Sequence, residues 1–296
     1  MGFEVNSLNF LLYVQQVNGR SKFEKVATMG RQFIKALPRS YLKLLQLDTL
    51  ADKEYCEELL IKKFGAVKVD SFDNSKYEDA TFVVDMNLPI PEKYAGEISG
   101  AYDIVIDFGT LEHIYNVPQA LWNMSTLCKT GGDIVHVLPA NGWVGHGFYQ
   151  FSPELFYTVY SDLNGYSGTE VFLANCDDDR YIYLVRKPVN GVRSCAEGDG
   201  EAYILVRTTK MSNELSHNNI QQSDFSRQWE AEVPRNTDNS KNTPQRSKLR
   251  QWAKTIPLFR ELYAKWHRKY MRRYEKINNK NLCLTKFKVA DLLRKV

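Results

Sequence analysis

The clearest pattern of apolar and polar positions lies late in the first half of the chain. The β-branched run Ile104 to Ile106 is bounded by aspartates, which is typical of a short strand covered on both faces. From Pro118 onward apolar residues recur at helical spacing, and Ile134 to Leu138 forms a second apolar run. This order predicts a βαβ unit, which binds its ligands beyond the carboxyl ends of the strands.

Similar patterns on both sides extend this unit into a larger sheet. Apolar runs that end in turn residues predict strands, and helical periodicity between start and stop signals predicts helices. The predicted helices are Leu8 to Val17, Asp48 to Phe64 and Leu155 to Tyr160, and the further strands are Phe23 to Met29, Ala66 to Phe72, Thr81 to Val84, Tyr166 to Ala174, Arg180 to Arg186 and, at an edge, Tyr203 to Val206. Alternating elements of this kind predict an α/β fold.

Composition narrows the class of protein only slightly. Over 296 residues, hydrophobic residues at 43% and charged residues at 25% are ordinary for a soluble globular protein. The cysteines are scattered without any Cys-x-x-Cys pair, so the sequence predicts neither a disulfide framework nor a metal site, and we interpret the acidic run 177–179 as a solvated turn. With no signal-peptide pattern and no apolar run of membrane-spanning length, a cytoplasmic location is expected.

The last third of the chain has a different character. Residues 211–245 are rich in Asn, Gln, Ser and charge and predict a flexible polar linker after a domain at 1–210. Residues 246–296 are strongly basic, and from Pro257 aromatic residues recur at helical spacing, which predicts a basic amphipathic helical tail. Such a helix suits packing on the domain, a protein partner or an anionic membrane surface. Nucleic acid is not expected, because these residues follow one helix rather than a known RNA-binding module.

A specific resemblance rests on the central unit. Its first strand is followed by Leu111-Glu112-His113, then the helix, then Lys129-Thr130-Gly131-Gly132 and a strand that ends at Pro139. This pattern, over residues 23–183, resembles the class I S-adenosylmethionine-dependent methyltransferases, and in particular those that modify small molecules and sugars. The resemblance implies a Rossmann-like, doubly wound, mostly parallel sheet of seven-strand type with helices on both faces. It also implies methyl transfer from S-adenosyl-L-methionine to an oxygen or nitrogen of a small acceptor, such as a sugar or a surface-polysaccharide intermediate.

The resemblance also implies which residues contact the cofactor. Acids after successive strands would accept from the ribose hydroxyls and from the adenine amino group, with an apolar side chain against the ring. The implied cofactor residues are Gly30, Asp73, Asp85, Met86, Asp107 and Gly109. Only Gly30 remains of the glycine-rich loop that follows the family's first strand, since Arg31 and Gln32 come next.

Residues for the acceptor come from the loops after the two central strands. Methyl transfer to a hydroxyl needs a nearby base, and His113 and His146 are the candidates. His146 lies in a glycine-rich loop that is expected to be mobile and to cover the donor methyl group, and Tyr149 and Gln150 from the same loop are candidate substrate contacts. The alternative is a non-catalytic protein that keeps the methyltransferase fold for binding or assembly.

Overall fold

The computed structural model describes residues 2–35, 37–47, 55–188, 194, 196–198, 200–213, 220–230, 277–279 and 283–293. None of the helices in these segments is long and apolar enough to span a membrane. The helices are α1 (Val5–Val17), α2 (Arg39–Leu44), α3 (Glu57–Phe64), α4 (Glu92–Ile98), α5 (Val117–Leu127), α6 (Pro153–Val159), α7 (Ser223–Glu230) and α8 (Val289–Leu293).

A mixed sheet of nine strands organises the described part of the chain. Its strands are β1 (Lys25–Met29), β2 (Lys68–Asp73), β3 (Phe82–Val83), β4 (Tyr102–Asp107), β5 (Cys128–Asn141), β6 (Tyr166–Asn175), β7 (Asp178–Val185), β9 (Ala202–Lys210) and β11 (Leu284–Lys288), while β8 (Ala196–Gly198) and β10 (Ile277–Asn279) form a separate antiparallel pair. The spatial order is β3-β2-β1-β4-β5-β9-β6-β7-β11. The neighbours from β3 to β5 pair in parallel.

Alternation along the central strands places a hydrophobic core on each face of the sheet. In β4, Val105 belongs to one core, while Ile104 and Ile106 belong to the other. The first core includes Leu121 of α5, and the second includes Leu8 of α1. Because both faces are covered, the strand reads as a continuous apolar run, and the predicted doubly wound α/β fold with helices on both faces is confirmed.

The central βαβ unit forms as the sequence predicts. The Asn116 side chain accepts a hydrogen bond from the Gln119 backbone N–H at 3.4 Å and so caps α5, with Pro118 in the first turn. The next helix starts in the same way, since Ser152 Oγ accepts from the Glu154 backbone N–H. Both helices follow the ends of sheet strands, so their caps fix the loops that leave the carboxyl edge of the sheet.

The prediction for the strand at residues 203–206 was wrong in its position. This strand, β9, is not an edge strand but lies between β5 and β6 and pairs antiparallel with both. Tyr203 to Val206 are all buried, which requires cover on both faces and a partner on both sides. The sheet therefore gains an antiparallel insertion in its centre, and the hairpin of β6 and β7 lies outside it.

The division of the C-terminal third also needs correction. Within the predicted linker 211–245, residues Ser223–Glu230 are helical. Within the predicted helical tail 246–296, β11 pairs antiparallel with β7, and α8 follows it. The sheet domain thus includes residues from the end of the chain. The predicted aromatic helix that begins at Pro257 lies outside the described residues.

Removal of residues 283–296 is expected to lower the melting temperature by about 10 °C. It deletes β11 together with the buried side chains of Cys283, Leu284 and Val289, which belong to the cores on both faces; each larger apolar side chain contributes about 1.5 to 3 kcal/mol when buried. Thermal unfolding followed by circular dichroism measures the change. A matched truncation of residues 294–296 alone should melt like the full chain, and an unchanged melting temperature in the longer truncation would contradict this pairing.

Candidate functional site

The candidate site lies where the order of the strands reverses. β1 has β2 on one side and β4 on the other, and loops that leave the carboxyl ends at such a point diverge and open a crevice. The hydroxyl of Thr110, in the loop after β4, donates to the Met29 carbonyl at the end of β1 at 2.7 Å. This bond joins the loops on the two sides of the reversal, so residues from both contribute to one site.

Gly30 and Asp73 come together at this edge. Gly30 has a φ of +67°, and a Cβ placed on it would lie 3.1 Å from Thr110 Oγ1 and 3.8 Å from Asp73 Oδ2. Its backbone N–H donates to the Phe72 carbonyl at 2.7 Å. A side chain at position 30 would be both strained and crowded, so glycine keeps the backbone open toward the Asp73 carboxylate.

The two polar residues after Gly30 fold back onto the protein. The Gln32 amide donates to the Met29 carbonyl and to Thr110 Oγ1. Arg31 donates to Glu57 Oε1 at 2.7 Å and to the Glu78 carbonyl at 2.9 Å. Both side chains are therefore held by protein partners, and their backbone remains at the strand end.

The loop after β3 holds Asp85 and Met86 differently from each other. Asp85 Oδ1 accepts from the backbone and the side-chain amide of Asn87, at 2.9 and 2.8 Å, and Asn87 is bonded in turn to the Asn116 cap of α5. Met86 is only 4% exposed, and its sulfur lies 3.9 Å from Asn123 Nδ2. The expected contact of Met86 with a cofactor ring does not fit this burial, whereas Asp85 lies in the loop at the strand end.

Asp107 belongs to a buried network rather than to an open surface. Its Oδ1 accepts from the backbone N–H groups of Thr110 and Leu111, at 2.9 and 3.3 Å, and its Oδ2 lies 3.0 Å from His136 Nδ1. His136 Nε2 lies 2.8 Å from the Tyr160 hydroxyl, and all three side chains are buried. Burial raises the pKa of Tyr160, so its hydroxyl keeps a proton to donate to the imidazole, which donates to Asp107.

Both oxygens of Asp107 thus accept hydrogen bonds within the protein, and the side chain is fully buried, so it presents no exposed oxygen for the expected cofactor contact. Gly109, two residues later, has a φ of +99°. That conformation favours glycine and turns the chain from β4 into the loop. Asp107 and Gly109 together set the path of the loop that carries Glu112 and His113.

Glu112, His113 and His146 meet at the end of this loop, and we name them the Glu112 cluster. Glu112 Oε1 lies 3.7 Å from His113 Nε2 and 3.5 Å from His146 Nε2. The two imidazole rings are 5.1 Å apart between centroids, in an edge-on arrangement. The structure therefore unites the two predicted bases, although they are 33 positions apart in the sequence.

Burial decides the electrostatics of the Glu112 cluster. The Glu112 side chain is 0% exposed, whereas His113 and His146 are 50% and 36% exposed. Burial, with a smaller contribution from the Asp107 charge, raises the pKa of Glu112 to about 8. Burial also lowers the pKa of His113 and of His146. Neutral imidazoles are accordingly favoured at neutral pH, and these have a free lone pair.

Hydrogen bonds to neighbouring parts of the protein hold the loop after β5 in place. Phe148 donates its backbone N–H to the Glu112 carbonyl at 2.7 Å, and the Trp143 indole N–H donates to the Ala202 carbonyl. The Tyr149 hydroxyl donates to the Tyr115 carbonyl at 2.9 Å. These bonds anchor a loop that the sequence predicts to be mobile.

Tyr149 and Gln150 both have roles inside the loop. Gln150 Oε1 accepts from the Trp143 backbone N–H at 3.0 Å, so its carboxamide closes the loop on itself. Tyr149 lies beside the exposed ring of Phe148, with centroids 6.3 Å apart. The ring of Trp143 lies 5.2 Å from that of His146, while Gln150 acts on the loop rather than pointing freely toward an acceptor.

Two side chains of this edge were absent from the sequence predictions. Glu112 is quoted in the Leu-Glu-His motif but has no predicted role, and Thr110 has none either. A signal for Glu112 exists, because an acid between a leucine and a histidine directly after a buried strand is placed at the ligand edge. Its complete burial follows only from packing against the distant loop.

Comparisons with known proteins give a consistent but weak result. No model of a known protein family matches the chain, and no curated protein matches it. Among solved structures, it is similar to the N-methyltransferase NodS from Bradyrhizobium japonicum, solved with S-adenosyl-L-homocysteine, at 11% identity over 70% of this chain and 87% of that one, with a TM-score of 0.37. A SAM-dependent methyltransferase from Archaeoglobus fulgidus gives 13% identity over 69% and 94%, with a TM-score of 0.39.

A third similar structure is a possible histamine N-methyltransferase from Thermotoga maritima. It has 15% identity over 70% of this chain and 91% of that one, with a TM-score of 0.32. These are methyltransferases like those that the sequence resembles. At such scores the function has to be argued from the contacts of this chain alone.

Proposed function

We propose that the protein is an S-adenosylmethionine-dependent methyltransferase that acts on an oxygen or nitrogen of a small acceptor. The observation that carries this proposal is the junction of Gly30 and Asp73 at the reversal of the sheet, with the Glu112 cluster one loop away. Thr110 connects the two, since it is bonded at the end of β1 and lies two residues before Glu112. The proposed donor site and the proposed site for a base would thus share one edge of the sheet.

The residues at the junction fit an adenosine-type cofactor. Asp73 offers a carboxylate to a vicinal diol, with Oδ2 on the side of Gly30. Gly30 allows close backbone approach, and Asp85 lies in the loop after the next strand. Bound there, the cofactor would supply a methyl group activated by a sulfonium. The protein would contribute in-line positioning, which can replace much of the entropic part of the barrier.

Proton removal from the acceptor falls to the Glu112 cluster. His113 and His146 expose part of their rings, and a neutral imidazole can take a proton from a hydroxyl or an ammonium group. The rings of Tyr115, Phe148 and Tyr149 contact one another in the two loops that carry these histidines, and they offer flat apolar faces. Such faces pack against the apolar side of a sugar ring or of a similar small intermediate. We propose a sugar or a surface-polysaccharide intermediate as the acceptor class.

A non-catalytic binding protein is the second candidate. The observation that favours it is the replacement of a glycine-rich loop by Arg31 and Gln32, which are fixed to Glu57 and to Met29. We also propose a cytoplasmic location, and contact of the basic segment 246–296 with a membrane or a protein.

Titration of the untagged protein with S-adenosylmethionine and S-adenosylhomocysteine tests the proposed function. We expect one molecule bound per chain and release of S-adenosylhomocysteine in the presence of a panel of sugars and amines. With an active acceptor, His113→Ala and His146→Ala should lower turnover about 100-fold at unchanged cofactor affinity, since general bases contribute about that much or more. Binding without turnover on any acceptor favours the second candidate, and absence of cofactor binding contradicts the proposal.

A further inference from the structure

Polar atoms without partners converge in the Glu112 cluster. Glu112 Oε1, Glu112 Oε2 and His146 Nε2 are all buried and have no hydrogen-bond partner among the described residues. A buried carboxylate that lacks donors is costly, and in proteins such groups are paired, protonated or bound to a metal. The position of these atoms therefore points to a species that binds between them.

The Glu112 carboxylate has little freedom to find another partner. The backbone carbonyl of Glu112 accepts from the Phe148 backbone N–H at 2.7 Å, and a Cβ on Gly147 would lie 3.0 Å from Glu112 Cγ. The loop after β5 is thus pressed against the stem of the side chain. The distances from Glu112 Oε1 to His146 Nε2 and His113 Nε2, 3.5 and 3.7 Å, exceed those of good hydrogen bonds. The side chains are held close, but too far apart to satisfy one another.

These distances suit a shared metal ion. One ligand atom from each of Glu112, His113 and His146 lies within 4.8 Å of the others. Around a tetrahedral Zn²⁺ with bonds of about 2.0 to 2.1 Å, neighbouring ligand atoms are separated by about 3.3 Å. The two measured separations are within a few tenths of an ångström of that value, and the partly exposed imidazoles can rotate to close the third.

We propose that Glu112, His113 and His146 bind a divalent transition-metal ion of the Zn²⁺ type. Two imidazole nitrogens and one carboxylate oxygen form a set that prefers such ions to Mg²⁺ or Ca²⁺, which take oxygen ligands. Three protein ligands leave a further position for water or for a ligand oxygen. Both histidine side chains are partly exposed, so that position can be reached from solvent.

Metal binding at this cluster does not rest on methyl transfer and can be measured without it. Should both hold, the histidine lone pairs would bind the ion instead of taking the proton, and the ion would lower the pKa of an acceptor hydroxyl bound to it; this second step rests on the proposed function. The sequence predicts no metal site because the ligands come from two loops and their spacing matches no known zinc motif. The fold alone brings them together.

Calorimetric titration with Zn²⁺ tests the proposal, using full-length untagged protein that has been treated with a chelator and then freed of it. We expect one ion bound per chain, and Co²⁺ should give the intense visible absorption of a four-coordinate site. Glu112→Gln, His113→Ala and His146→Ala should each weaken binding by about 100-fold or more, since loss of outer-shell partners alone costs about 10- to 100-fold. As the matched control, Glu97→Gln, which changes an exposed acid of α4 in the same way, should bind like the unaltered protein.

Circular dichroism of each variant establishes that it is folded, and Glu112→Gln keeps the size of the side chain in case the alanine variants unfold. Absent or non-stoichiometric Zn²⁺ binding overturns the proposal. So does a folded Glu112→Gln variant that binds as tightly as the unaltered protein. Titration of the metal-free protein with S-adenosylmethionine separates the two proposals. Loss of Zn²⁺ binding would contradict the metal site alone, and loss of S-adenosylmethionine binding would contradict the proposed function alone.

Discussion

Replacing Asp73 by alanine is expected to weaken the binding of S-adenosylmethionine about 1,000-fold. The carboxylate would accept from both ribose hydroxyls, and each hydrogen bond to a charged group contributes about 1.5 to 3 kcal/mol. Its Oδ2 lies beside Gly30 at the strand end, and Oδ1 accepts a 3.2 Å bond from the Ser75 backbone N–H within its own loop. The free energy of unfolding should therefore change little. Calorimetric titration measures the affinity.

Asp162→Ala is the matched control for this loss. Asp162 precedes β6, which runs in the same direction as β5, so this aspartate lies at the opposite edge of the sheet. Its removal should leave cofactor affinity unchanged. Equal affinities in the Asp73 variant and in the unaltered protein would show that the ribose is held elsewhere.

Replacing Asp107 by alanine is expected to cost about 4 kcal/mol in the free energy of unfolding. The change removes the acceptor of two backbone N–H groups and leaves His136 buried without its carboxylate partner. Each buried donor that loses its acceptor costs about 1 to 3 kcal/mol. Denaturant unfolding measures the loss, and Asp107→Asn, which keeps one acceptor oxygen, should lose less.

The Asp73 and Asp107 variants should separate binding from stability. Asp73→Ala should affect the cofactor and not the fold, whereas Asp107→Ala should affect the fold first. A stable Asp107→Ala protein with lost cofactor affinity would restore the direct cofactor contact that its sequence position suggests. The two aspartates end similar strands, so only their surroundings distinguish them.

Local patterns account for what the sequence predicts well. The central βαβ unit is encoded by apolar runs and caps within about 40 residues, and Asp73 and Asp85 follow strands that are easily recognised. Hydrophobic periodicity describes which residues are buried but not which strand is the neighbour. Parallel order from β3 to β5 was therefore predictable from the alternation of elements, while the insertion of β9 between β5 and β6 depends on contacts distant in sequence.

Side-chain directions were the least predictable part of the site. Met86 and Asp107 have the residue types and positions of ligand contacts, yet one packs against α5 and the other caps its own loop. Gln150 likewise bonds to Trp143 in its own loop. Short polar side chains find local backbone partners in loops, and nothing in the pattern of the sequence shows which of them do so.

The strand near the end of the chain escaped prediction for a related reason. In β11, Lys286 and Lys288 gave a basic composition that matched the preceding segment. Their alternation with apolar residues, Leu284 and Phe287 among them, is only partly regular over five positions. The strand forms because it pairs with β7, where Lys286 lies over the ring of Tyr181 at 4.2 Å.

The late position of β11 has a consequence during synthesis. β7 and β11 lie about 100 residues apart, so at about 5 to 20 residues per second the outer edge of β7 waits about 5 to 20 s for its partner. For that interval a tyrosine-bearing strand presents unpaired backbone groups to any other nascent chain. The strand that finally covers it ends the sheet with two lysines, which discourage further edge pairing. Its arrival converts an edge that can recruit neighbours into one that repels them.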